Sequence, residues 1–178
     1  MKKIILMTLA IITIAGLTTE VTAQYSARVS QTATANLVAT IGMASDVPLN
    51  FGIMSIPTSD VDVTLSTAHL VTTSDATKIS LFPTTATNAH YTVSGTALYA
   101  YSITLPTAGS ITIANGASSM HIEDFRALTA SVPGANGTTG TLSVSGQDTF
   151  VVGATLKVKS TLITGAYTGS FDVLVAYN

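Results

Sequence analysis

The chain has 178 residues, 47% of them hydrophobic and 9% charged, with a formal net charge of −2 and neither cysteine nor tryptophan. Beyond the first residues the fixed cations are only Arg28, Lys78, Arg126, Lys157 and Lys159, which leaves no basic face for nucleic acid or anionic lipid. The lack of cysteine excludes a disulfide framework, so stability rests on core and strand ladders, and the hydrophobicity is too high for a disordered chain.

Lys2-Lys3 precede an apolar run from Ile4 to Leu17 and a polar stretch ending Val21-Thr22-Ala23. This pattern reads as a secretory signal peptide cut after Ala23, and the run is shorter than the roughly 20 apolar residues of a spanning helix. Residues 24 to 178 then form one domain, and loss of Lys2, Lys3 and Glu20 takes the net charge from −2 to −3. No second apolar run follows, so no integral membrane segment is expected after the leader.

The first predicted strand is the longest. Ala27, Val29, Ala33, Ala35, Leu37, Ala39, Ile41 and Met43 share one face between Ala27 and Met43, broken only by Gln31. At roughly 3.3 Å per residue such a strand would run about 56 Å, against about 20 Å for an ordinary one. Either it bends and crosses between two sheets, or its first half projects and adds to the sheet edge of a neighbour.

Further strands are predicted at Pro48 to Met54, Asp60 to Ser66, Lys78 to Phe82, His90 to Ser94, Tyr99 to Leu105, Ser110 to Ile113, Phe125 to Val132, Thr141 to Ser145, Thr149 to Val152, Thr155 to Lys159 and Ser170 to Tyr177. Turn residues punctuate them about every ten positions, as at Ala114-Asn-Gly116 and Pro133-Gly-Ala-Asn-Gly137. Short, turn-bounded strands at this spacing are the signature of a β-sandwich. Val61, Val63 and Leu65 alternate with Asp60, Asp62 and Thr64, and Leu156 and Val158 alternate with Lys157 and Lys159. One face of these strands is expected to be buried and the other wet. Tyr99 and Tyr101 share a face and are expected in the core.

Chemistry-bearing patterns are sparse. His69, His90 and His121 lack the spacing of a ligand pair and are expected at separate surface positions. Asp60 and Asp62 share a strand face that could hold a hard cation given further oxygen ligands, though a solvated face is the simpler reading. Glu123-Asp124 send their carboxylates to opposite faces of an extended chain. No nucleophile elbow, zinc-protease helix or phosphate loop occurs. No enzyme activity, no cofactor and no metal site is therefore expected. Asn136-Gly-Thr138 has the form of a glycosylation sequon and reads as a turn.

The segments Leu49-Asn-Phe-Gly52, Tyr101-Ser-Ile-Thr-Leu-Pro106, Gly146 to Val158 and Gly165-Ala-Tyr-Thr-Gly-Ser-Phe-Asp-Val-Leu-Val-Ala-Tyr-Asn178 resemble the secreted bacterial family called domain of unknown function 4402. More loosely, the chain resembles spore-coat-U proteins and the fimbrial subunits assembled by chaperone-usher systems, in which a glycine lies fourteen residues from the end and the penultimate residue is aromatic. Gly165 and Tyr177 match those positions. The resemblance implies an all-β, immunoglobulin-like β-sandwich, export to the periplasm and then the cell surface, and polymerisation by strand exchange. Partners would be further copies or other surface subunits, with a periplasmic chaperone and an outer-membrane usher. The residues expected to carry assembly are Ala27, Val29, Ala33 and Ala35 in front, with Gly165, Phe171, Val173, Val175 and Tyr177 at the end. The competing expectation is a self-contained binding module for a glycan or a protein.

Overall fold

In the computed structural model, residues 28 to 178 are described. The chain divides into two units, Met1–Asn36 and Leu37–Asn178. Within the first, residues 28 to 36 carry no strand and are exposed. The signal-peptide reading and Ala27 lie outside the described residues.

The second unit is a β-sandwich with no α-helix among the described residues. Its strands are β1 (Gly42–Val47), β2 (Ile53–Met54), β3 (Val61–Leu65), β4 (Val71–Thr73), β5 (Leu81–Phe82), β6 (Ala89–Ser94), β7 (Ala100–Thr104), β8 (Ile111–Asn115), β9 (Ser118–Thr129), β10 (Thr139–Thr141), β11 (Gln147–Val158) and β12 (Leu174–Tyr177). A seven-stranded sheet carries the order β1-β6-β11-β3-β4, with β9 also on β11 and β8 on β9. A three-stranded sheet, β10-β7-β12, and the pair β2-β5 complete it.

Strand β11 organises the large sheet. Its first half pairs with β6, from Gln147 opposite Ser94 to Val152 opposite Ala89. Its second half pairs with β3, from Ala154 opposite Leu65 to Val158 opposite Val61. Both partners lie antiparallel, and Gly153 marks the place where one hands over to the other. Buried Asn88 closes that junction, its side-chain amide donating to Ser66 O (2.8 Å) and Val152 O (3.3 Å). Ser66 O also accepts from His69 N at 3.0 Å, so the Asn88 amide adds a second donor there and ties the end of β3 to β11 where the ladder changes hands.

Alternation fills the core as expected, with Val61, Val63, Leu65, Leu156 and Val158 all buried. They form one apolar cluster with Phe51, Ile79, Met120 and Ile122. A second cluster gathers Tyr91, Val93, Tyr101, Ile103, Leu142, Phe150 and Val152. Tyr101 is fully buried there, and its hydroxyl donates to Asp148 Oδ2 at 3.0 Å, which also accepts from Ser131 Oγ at 2.5 Å. Tyr99, expected beside it, is instead 41% exposed and packs edge-on to Tyr177.

Burial, and then the hydrogen bond and charge of Asp148, push the Tyr101 phenol well above its ordinary value. The tyrosinate is penalised in the fold but not in the unfolded chain. The stability that this side chain contributes is thus intact below pH about 10 and is lost as pH rises further, by at most about 1.4 kcal/mol per unit. Tyr91, also raised by burial, acts in the same sense. Tyr101→Phe should cost about 1 kcal/mol at neutral pH and flatten this alkaline loss. Urea unfolding between pH 7 and 11 checks it, and parallel curves for the two proteins would count against the assignment.

The front strand departs most from expectation. Of residues 28 to 43, only Gly42 and Met43 are in a strand, and β1 continues past them to Val47. The reason lies in the partner: Gly42 pairs with Ser94, the last residue of β6, and the chain turns away at Gly95. The β1–β6 ladder therefore stops at Gly42, and residues 28 to 41 lie in no strand. Two predicted strands, Thr149 to Val152 and Thr155 to Lys159, are one continuous β11, because Gly153 passes through the sheet instead of ending a strand. Strand β9 begins seven residues before the expected Phe125, directly after the Asn115-Gly116 turn, and β4 was not anticipated.

Candidate assembly groove

The groove is built from two stretches of chain. In the first, Asn50 bridges to Thr87, and its side-chain oxygen accepts from Gly52 N at 2.8 Å. Gly52 has a φ of 83°, a conformation open mainly to glycine, and the tight turn drives Phe51 into the core. In the second, Thr168 bridges to Ala114 on β8, and Asn115 Nδ2 donates to Thr164 O at 3.2 Å. Gly165 lies against Asn115 with a φ of 139°, so a side chain there would be both strained and obstructed. The Tyr167 hydroxyl, 2.9 Å from both Ser118 Oγ and Ile163 O, pins the loop beneath.

Between residues 48 to 54 and 165 to 171 lies an open cleft of about 610 Å³. Its walls are apolar: Leu49, Phe51 and Met54 on one side, Tyr167 and Phe171 on the other, with Ile111, Ile113, Met120 and Leu156 at the floor. From there the chain continues to β12, whose one ladder partner among the described residues is β7. Among the described residues no strand pairs with the other edge of β12. Phe171, Val173, Val175 and Tyr177 alternate along it as half-buried side chains that pack against the second core cluster, while Asp172, Leu174 and Ala176 face outward. The Phe171 and Phe125 rings lie 5.0 Å apart. The structure thus places Phe171, Val173, Val175 and Tyr177 in one inward row, with Gly165 at its cleft end.

At the far end of the row, the Tyr177 hydroxyl accepts from Thr96 N at 2.7 Å and donates to Ala39 O at 3.0 Å. Ala39 N in turn donates to Thr96 Oγ1 at 2.7 Å. This three-way contact holds the chain at the point where the front segment joins the domain. Of the front residues, Val29, Ala33 and Ala35 are exposed and in no strand, and Val29 is 79% exposed. The cleft formed by residues 48 to 54 escaped the sequence reading, since nothing local marks which stretch of chain lies opposite.

The acidic and histidine side chains singled out in the sequence have structural partners at Asp60, Asp62, His69, His90 and His121. Asp60 accepts from Ser160 N and Oγ, which hold its carboxyl below the usual range. Asp62 pairs with Lys157 at 2.8 Å, with Glu123 at 3.6 Å from the same amine. The hydrogen bond from Lys157 to Asp62 raises the ammonium above its ordinary value, so it stays charged and is no nucleophile. His90 contacts Asp46 at 2.8 Å, His69 contacts Asn88 and His121 contacts Thr112, in three separate places. No cluster of three metal-ligating side chains occurs among the described residues, and none of their helices is long and apolar enough to cross a membrane.

No curated protein and no solved structure matches the chain. A family model does: the one described as Domain of unknown function (DUF4402) matches residues 40–177, from the root of the front segment to the penultimate tyrosine, and the chain belongs to that family.

Proposed function

We propose that the protein is an exported structural or adhesive surface protein, a pilus-like subunit that assembles by β-strand addition. Its front segment, with Ala27, Val29, Ala33 and Ala35 on one face, enters the groove beside β12 of a neighbouring copy. There its backbone pairs with the free edge of β12, and its small side chains cover Phe171, Val173 and Val175. Main-chain hydrogen bonds supply affinity and alternate side chains supply register.

The observation that carries this reading is the inward row of β12, half-buried on a strand whose outer edge has no partner strand among the described residues. A finished sandwich would cover such a row, and an apolar edge left open is an aggregation hazard. A periplasmic chaperone that shields the edge, and an outer-membrane usher, are the partners this route would require.

The test compares protein expressed from the full chain with a version lacking residues 24 to 35, by size-exclusion chromatography and electron microscopy. Filaments or stable oligomers are expected from the first and monomers from the second. If both are equally stable monomers, strand addition through this segment is wrong, and the cleft becomes a candidate ligand site of a self-contained binding module.

A further inference from the structure

Away from β12, the large sheet carries a second, polar cavity of about 230 Å³, at the place where β11 passes from β6 to β3. Three features of the chain make it. Gly153 has no side chain to fill the space on the β11 side, and a β-carbon there would strike Leu65 O. Across the ladder, Asp124 and Phe125 of β9 stand between the pairs Glu123–Thr155 and Arg126–Gly153, where β11 has Ala154 alone. This is a β-bulge with its extra residue on β9, a device that re-aims side chains beside functional sites. Phe125 keeps its place against the core, while Asp124 takes a left-handed φ of 50° and is exposed, as is Arg126. Such a backbone costs free energy at any residue but glycine, and positions of this kind gather at binding sites. The third wall is the loop before β10. Gly137 N donates to Ala127 O at 2.9 Å, which holds the neighbouring Asn136 at the cavity, and the Asn136 side-chain oxygen accepts from Thr67 Oγ1 at 2.6 Å.

We propose that this cavity binds a sugar carrying a carboxylate, a uronic acid at the end of a glycan. Arg126 and Asp124 both line it, and neither takes part in an ion pair among the described residues. The Arg126 guanidinium is a planar fork that matches a carboxylate bidentately. Asp124 accepts hydrogens from hydroxyls. Asn136, whose oxygen is already engaged by Thr67, has two amide hydrogens left to donate to sugar oxygens. The only apolar side chains in the wall are those of Leu65 and Ala154, both buried, and none is aromatic. One cation, one acid and one amide in a polar wall select a hydrophilic ligand with a negative charge and several hydroxyls. The volume is below the roughly 300 to 1,000 Å³ of pockets that enclose drug-sized ligands, and suits one sugar ring. Asn136-Gly-Thr138, a turn by sequence, thereby gains a binding role.

This site serves the adhesive side of the proposed function without requiring strand addition. A weak grip on one ring multiplies when many copies face the same surface.

Equilibrium dialysis of protein expressed from the full chain against glucuronic acid, glucose, acetate and glycine decides it, whether or not the protein assembles. Glucuronic acid is expected to bind with a millimolar dissociation constant, about tenfold or more tighter than glucose or acetate, each of which offers only part of the contacts. Arg126→Gln should weaken it about tenfold or more, with Arg126→Lys recovering only part, since it restores the charge and not the fork. Asp124→Gly leaves the backbone free to hold its conformation, and should weaken glucuronic acid while leaving acetate no weaker. All three variants change exposed side chains and should keep the parent's unfolding midpoint. Acetate binding as tightly as glucuronic acid would make this a simple anion site, and a preference for glycine would make it a zwitterion site; either overturns the sugar assignment. No binding of glucuronic acid, or binding that Arg126→Gln leaves unchanged, would overturn the site itself. Strand addition stands or falls separately, on the deletion of residues 24 to 35.

Discussion

Phe150→Ala is expected to lower the unfolding free energy by about 3 to 5 kcal/mol, the usual range for emptying a buried aromatic site. Phe150 sits in the middle of β11 with its ring 4.9 Å from Tyr91, stacked at 17°, and the two residues are also register partners across the ladder. Around it are Val93, Tyr101, Ile103, Ala127 and Val152, all buried. Their backbones belong to strands held by ladders on both sides, so the site cannot collapse cheaply around the missing ring. Against a total stability of about 5 to 15 kcal/mol for a domain, the loss is a large fraction. Urea unfolding with unchanged slope and a lowered midpoint is the expected signature. A loss below about 1 kcal/mol would show that the second cluster repacks freely and is not the rigid wall behind β12.

The second large effect is one whose sign runs against propensity. Replacing glycine by alanine inside a strand normally stabilises by about 0.5 to 1 kcal/mol, through chain entropy and a gained side chain. Gly153→Ala is expected instead to destabilise by about 2 to 3 kcal/mol. A β-carbon at position 153 would collide with Leu65 O and lie 2.9 Å from Ser66 C and 3.0 Å from Thr67 N, all of them backbone atoms. Leu65 ends β3 and Ser66 and Thr67 follow it, at the point where β11 changes partner from β6 to β3. Opposite lies an irregularity in the β9 pairing, with Asp124 at a φ of 50°. The backbone has no slack there, so the added methyl must displace a strand. Thermal or urea unfolding decides it, and an alanine variant as stable as the parent would mean the handover is looser than its geometry.

The contrast between Gly153 and Gly116 shows how far local pattern reaches. Asn115-Gly116 is a turn in sequence and a turn in the fold, joining β8 to β9 with Gly116 at a φ of 59°. Gly153 looks like the same punctuation and is instead the close approach of two strands, dictated by residues nearly ninety positions away. Tyr99 and Tyr101 make a similar pair: alternation puts them on one face, but Tyr101 is enclosed while Tyr99, just before β7, stays at the rim against Tyr177. The inward row from Phe171 to Tyr177 was legible as an alternating strand. That its outer edge lacks a partner was not, nor was the cleft beside it.

The sequence by itself determined the all-β class, the buried faces of β3, β7, β11 and β12, and the turns that separate strands. Those properties follow from side-chain period and local backbone freedom, which a few neighbouring residues set. Only the tertiary structure decided that β11 runs unbroken through Gly153, that β1 starts at Gly42, and that residues 48 to 54 face 165 to 171 across an open cleft. Each depends on which backbone edge lies opposite which. A strand exists only where a distant segment completes its hydrogen bonds, so the alternating residues from Val29 to Ile41 have the pattern of a strand and yet lie in none.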